Sequence, residues 1–95
     1  MKKGYILFFA SLWFLSISSA VFSQKKILVF QSDFGLKDGA VSAMKGVAMG
    51  VSSDLKIFDI THDIPVYNIW EASYRLEQAA KYWPAGTVFV SIVDP

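Results

Sequence analysis

The sequence contains no cysteine, which excludes disulfides, thiolate metal sites and lipid attachment through a cysteine. It also lacks any basic run or one-sided charged face. The formal charge of +1 becomes about −1 once Lys2 and Lys3 are set aside, a balance that gives no support for nucleic acid or an anionic membrane as partner. Phosphate-cradling motifs are missing, since neither Gly-x-x-x-x-Gly-Lys-Ser/Thr nor Gly-x-Gly-x-x-Gly follows the first apolar run. Asp33-Phe34-Gly35 matches a kinase tripeptide, but no glycine-rich loop or catalytic loop accompanies it, and a kinase is excluded. No apolar run reaches the roughly 20 residues of a membrane-spanning helix.

The N-terminus has the organisation of an export leader. Lys2 and Lys3 precede the almost wholly apolar Tyr5–Ile17, and small residues follow at Ser18, Ser19, Ala20 and Ser23. Residues 1–23 therefore read as a signal peptide, with a secreted or periplasmic destination and no stable membrane insertion after cleavage. An uncleaved anchor is the alternative. Residues 24–95 then form one small domain at most, with a modest core and no disulfide to support it.

The stretch Lys26–Gly39 organises this domain. Ile27–Phe30 is a short apolar run rich in strand formers, and Gln31, Ser32 and Asp33 break it before Gly35 and Gly39 permit turns. The period then changes. Val41, Met44, Ala48 and Val51 form one stripe of a helix over about 39–50, with Lys45 off the stripe. Gly46 and Gly50 each weaken that helix by about 1 kcal/mol relative to alanine, which suggests close packing on a sheet, although Gly50 also suits a helix end. Leu55–Ile60 reads as a second strand, and Pro65 disfavours helix immediately before it. Asn68 with Glu71 resembles a capping box, after which Ile69, Ala72, Leu76, Ala80 and Trp83 mark the buried face of a second helix. Glu71 with Arg75 and Glu77 with Lys81 are i,i+4 pairs on its solvated side. Pro84 and Gly86 end the helix, and Thr87–Val93 is a third strand.

Strand, helix, strand, helix, strand is a βαβαβ unit of the α/β class, the first half of a doubly wound parallel sheet. Each strand of such a sheet ends at the same edge, where ligands bind. Asp33, Asp59 and Asp63 flanking His62, and Asp94 are therefore expected together at that edge. Asp33 has an alternative as a turn cap. A metal held by Asp33, His62 and Asp94 has no supporting ligand spacing, and none is expected. His62 in Thr-His-Asp reads as a loop-organising hydrogen-bonding residue. Tyr67 could stack on a ligand ring or simply pack on the sheet edge.

Ser32-Asp-Phe-Gly-Leu-Lys-Asp38, Met44-Lys-Gly46, Asp59-Ile-Thr-His-Asp-Ile-Pro65, Pro84-Ala-Gly-Thr-Val88 and Val93-Asp-Pro95 occur in order. Together they resemble the N-terminal part of the S-adenosyl-L-methionine hydroxide adenosyltransferases, relatives of the fluorinase and chlorinase. The resemblance implies a Rossmann-like N-terminal domain truncated after the third strand, and a reaction in which water attacks the ribose 5′ carbon of S-adenosylmethionine to release adenosine and methionine. It implies no cofactor, S-adenosylmethionine being the substrate, and a homotrimer for the full-length protein. Asp33 matches the carboxylate that holds the ribose hydroxyls, and Asp38 an acid near the methionine amino group. Tyr67 matches a pocket aromatic that is usually Trp or Phe, and Asn68 stands where Asp is usual. Asp94 matches the acid that orients water; its Arg and His partners would lie beyond Pro95, so the chain as given is expected to be inactive. The fluorinase has Tyr where this chain has Asp94 and a small hydroxylated residue where it has Ala40, so water is favoured over halide. A non-catalytic nucleoside-binding module is the other alternative.

Overall fold

The computed structural model describes residues 26–94. The expected leader, 1–23, lies outside the described residues. The described elements are β1 (Ile27–Ser32), α1 (Ala40–Val51), β2 (Lys56–Thr61), α2 (Ile69–Ala80) and β3 (Val88–Ile92). All three strands are parallel, in the order β2-β1-β3, so the βαβαβ reading holds and the first strand is central. A central parallel strand has neighbours at both edges and helices over its faces. β1 is accordingly the most buried element, with Val29, Phe30, Gln31 and Ser32 all inside, whereas β2 and β3 are half-buried or exposed along their lengths.

β1 runs two residues further than its apolar run because Gln31 and Ser32 are buried polar strand residues with partners. Gln31 Nε2 donates to the Ala72 carbonyl of α2 at 2.9 Å and to Ser91 Oγ of β3 at 2.8 Å, tying a helix and a strand to the central strand. Its Oε1 is buried without a partner among the described residues. Because strand side chains alternate between faces, Gln31 reaching α2 and Asp59, paired with Phe30, reaching Lys45 of α1 put the two helices on opposite faces of the sheet.

On the α2 face Trp83 lies 5.3 Å from the Phe58 ring and 6.4 Å from Phe89, covering the row in which Val29 sits between those two residues. On α1 the stripe buries Val41 and half-buries Met44 and Ala48, while Val51 at the last residue stays exposed. The expected close approach at Gly46 and Gly50 is not found: a Cβ built at either meets nothing within 4 Å, so sheet packing does not require these glycines. The helix ends one residue after Gly50, in keeping with a terminating role there.

Asn68 caps α2 as expected, its Oδ1 accepting from the Glu71 N–H at 3.0 Å. The reciprocal half of the box does not form. Asn68 N–H donates to the Pro65 carbonyl, and Glu71 pairs with Arg75 at 3.5 Å. Within the expected buried stripe Ala72 is buried, Leu76, Ala80 and Trp83 are half-buried, and Ile69 is exposed. The expected Glu77–Lys81 pair is not made among the described residues; Lys81 Nζ lies over the Tyr82 ring at 5.4 Å, a competing contact of similar small worth.

Candidate active site

The site is built where β1 meets its two neighbours at their carboxyl ends. Between Phe30 and Gln31 the pairing of β1 with β2 slips by one residue, so that Gln31 faces Thr61 and Ile60 is the extra residue of a bulge. A bulge re-aims the side chains after it. Here it advances β2 so that His62, and not Thr61, comes alongside Ser32. The His62 Nδ1 lies 2.6 Å from Ser32 Oγ, and its Nε2 lies 2.7 Å from Asp59 Oδ1. Lys45 Nζ donates to the other Asp59 oxygen at 2.6 Å, and Ser32 Oγ accepts from the Phe34 N–H at 3.2 Å.

One proton arrangement satisfies every group. The ionised Asp59 can only accept, so Nε2 carries the hydrogen donated to it; in the neutral ring Nδ1 then accepts the Ser32 hydroxyl, whose oxygen keeps a lone pair for the Phe34 N–H. The series has the residue types of a serine-nucleophile triad, but Ser32 is 0% exposed and sits on the opposite ring nitrogen from the one such a nucleophile uses. It cannot meet a substrate. Burial alone would raise the Asp59 carboxyl, but the hydrogen bonds from Lys45 and His62 and the positive charge of Lys45 outweigh it and hold the group below the usual carboxylate range.

Asp33 comes directly after this anchored residue. Its N–H donates to the Ile92 carbonyl of β3 at 3.3 Å, and its Oδ2 accepts from the Asp94 N–H at 3.3 Å. Beyond it the Gly35 N–H donates to the His62 carbonyl at 2.8 Å, with Gly35 at φ 71°, and Ile64 N–H donates to the Ser32 carbonyl at 3.3 Å. The turn-capping role considered for Asp33 thus belongs to Ser32, and the Asp33 carboxylate bridges to the end of β3 instead.

The four acids are not gathered at one place as the strand-edge argument predicts. Asp33 and Asp94 meet, but Asp59 is turned onto the α1 face and bound by Lys45 and His62. Asp63 lines a separate open depression beside α2 with Ile60, Thr61, Ile64, Glu71 and Arg75. Asp59 lies within β2 and Asp63 in the loop beyond it, and the bulge between them breaks the alternation that would put residues four apart on one face. Asp38 Oδ1 accepts from the Ala40 N–H at 3.0 Å and so starts α1. Tyr67 does not pack on the sheet edge; it is 65% exposed and holds φ 66°, a left-handed conformation that costs a bulky residue about 1 kcal/mol or more. His62 organises its loop as expected, and both its nitrogens are occupied, which leaves it no lone pair for a metal. Ser32, Asp59 and Lys45 as members of one network were not apparent from the sequence.

A parallel sheet whose central strand carries a carboxylate across to its neighbour's end is the ligand-binding edge of an open α/β protein. Within that class the chain belongs to the S-adenosylmethionine (SAM) hydroxide adenosyltransferase family: the model of the SAM hydroxide adenosyltransferase N-terminal domain matches residues 28–95. It is similar to the (R)-S-adenosyl-L-methionine hydrolase of Methanocaldococcus jannaschii, with 38% identity covering 73% of this chain and 27% of the relative. It is also similar to the fluorinase of Actinopolyspora mzabensis, with 30% identity covering 75% of this chain and 24% of the relative. A solved structure of a conserved Thermotoga maritima protein superposes with a TM-score of 0.69 at 36% identity, over 70% of this chain and 26% of that one. The chain thus spans about a quarter of the length of the relatives it matches.

Proposed function

We propose that the whole protein hydrolyses S-adenosyl-L-methionine to adenosine and L-methionine by attack of water at the ribose 5′ carbon. In that step a C5′–O bond forms, the C5′–S bond breaks, its electron pair stays on sulfur, and the attacking water releases one proton to solvent. The sulfonium leaves as a neutral thioether, so no general acid and no metal are needed. What the protein has to supply is an oriented water and a fixed ribose. In this reading the two oxygens of Asp33 serve the ribose hydroxyls from its anchored position, Asp94 accepts a hydrogen bond from the water, Tyr67 lines the pocket and Asp38 lies toward the methionine amino group.

The observation that carries the reading is the meeting of Asp33 and Asp94, the Asp94 N–H donating to Asp33 Oδ2 at 3.3 Å across the ends of β1 and β3. Asp94 also bears on the choice of nucleophile. A carboxylate about 4 Å from an attacking halide would cost about 4 kcal/mol at an effective dielectric of 20, whereas the same group accepts a hydrogen bond from water. Residues 1–23 are proposed as an export leader and the assembled protein as a homotrimer. Incubating the whole protein with S-adenosylmethionine in ¹⁸O-water tests the reaction. The expected product is adenosine labelled at the 5′ oxygen; a 5′-halo nucleoside formed in the presence of chloride or fluoride would overturn the choice of water, and binding without turnover would leave a nucleoside-binding module.

A further inference from the structure

We infer that Lys45, Asp59, His62 and Ser32 act as one positioning relay, which fixes the Phe34 N–H and thereby the Asp33 carboxylate that precedes it. The inference rests on the reading of Asp33 as the ribose-holding group. The network is continuous and directional: Lys45 Nζ and His62 Nε2 each donate to one Asp59 oxygen, His62 Nδ1 receives the Ser32 hydroxyl, and Ser32 Oγ receives the Phe34 N–H. Ser32 and His62 are buried, and the Asp59–Lys45 end is open to solvent, each side chain about a third exposed. A neutral serine and histidine alone would need no ammonium. The Lys45 charge fixes Asp59 as an acceptor, Asp59 fixes the Nε2–H tautomer of His62, and that tautomer leaves Nδ1 as the acceptor which turns the Ser32 lone pair toward Phe34. None of the four is a catalytic residue, because none reaches the face on which Asp33 and Asp94 meet.

Two replacements of His62 separate positioning from bulk stability. An asparagine amide occupies the place of Nδ1, and a glutamine amide that of Nε2. In the whole protein, His62→Asn keeps an acceptor for Ser32 and loses Asp59, while His62→Gln keeps the donor to Asp59 and loses Ser32. Both leave a cavity and both should lower the unfolding midpoint. Amide hydrogen exchange at Phe34, followed without ligand, should quicken at least tenfold in His62→Gln and stay within about threefold of the parent in His62→Asn. Calorimetric titration with adenosine should show the same split, with affinity about tenfold weaker in His62→Gln and near the parent in His62→Asn. Lys45→Met, at the open end, should shift both readouts in the direction of His62→Gln by a smaller factor without threatening the fold. Equal exchange at Phe34 in the two His62 variants, or a Lys45→Met protein identical to the parent, would overturn the relay. If the exchange split appears but the parent binds no adenosine, the relay stands and the ribose-holding role of Asp33 falls.

Discussion

The loop after β1 and the loop after β2 begin at the same edge of the sheet and differ in what they present there. After β1, three successive backbone N–H groups are held: Asp33 by Ile92, Phe34 by Ser32 and Gly35 by His62. The loop after β2 has its Asp63, Ile64 and Asn68 N–H groups held by Thr61 Oγ1 and the Ser32 and Pro65 carbonyls, but its side chains from Val66 to Asn68 are exposed, with Tyr67 in a left-handed conformation, and Trp70 in the first turn of α2 is 83% accessible. The first loop is preorganised within this chain; the second presents aromatic surface and stored backbone strain. The difference teaches that the parallel unit itself fixes the backbone around the Asp33 carboxylate, while it leaves the Tyr67 ring exposed.

Substitutions can break or sharpen that contrast. The largest effect is expected where the β3 end meets the anchored loop: Asp94→Asn in the whole protein should lower turnover of S-adenosylmethionine by about 10²-fold or more with little change in affinity, read from steady-state kinetics beside adenosine binding. On the exposed loop, Tyr67→Gly should be more stable than Tyr67→Ala by about 1 kcal/mol, because glycine alone adopts φ 66° without strain. Urea denaturation of the two variants checks the sign, which is the reverse of that expected where the backbone is relaxed. Gly46→Ala, in the helix that follows the anchored loop, should raise stability by just under about 1 kcal/mol, since the added methyl meets nothing within 4 Å. Urea midpoints again decide.

Acid provides the mildest distinction. The Asp59 carboxyl is lowered in the folded protein, so its contribution is fully present above its ordinary value of 3.8 and is lost as the pH falls below that through the lowered folded value. Phe34 exchange protection should therefore weaken in that acid range, and Asp59→Asn should abolish this pH dependence when exchange is corrected for its intrinsic rate.

All five elements were legible in the sequence because their periods, the Asn68 cap and the Pro84–Gly86 turn are local signals. The C-terminal end of β1 was not, since Gln31 and Ser32 look like a polar stop until their partners at 72, 91 and 62 are in place. Asp33 and Asp94 could be assigned to one edge from parallel strand order alone. The relay could not, because it joins residues 32, 45, 59 and 62 through a one-residue bulge, and no pattern of hydropathy announces where a bulge falls. Lys45 was visible only as a residue off the apolar stripe, and its meaning came from the strand it faces.

The central claim is that Asp33, fixed at the end of the central strand, is the carboxylate that holds the ligand. Titrating adenosine into the whole protein and its Asp33→Asn variant by calorimetry tests it most directly. Loss of hydrogen bonds to a charged acceptor predicts affinity weaker by about 10-fold or more, with the unfolding midpoint near that of the parent. Parental affinity in Asp33→Asn would contradict the account.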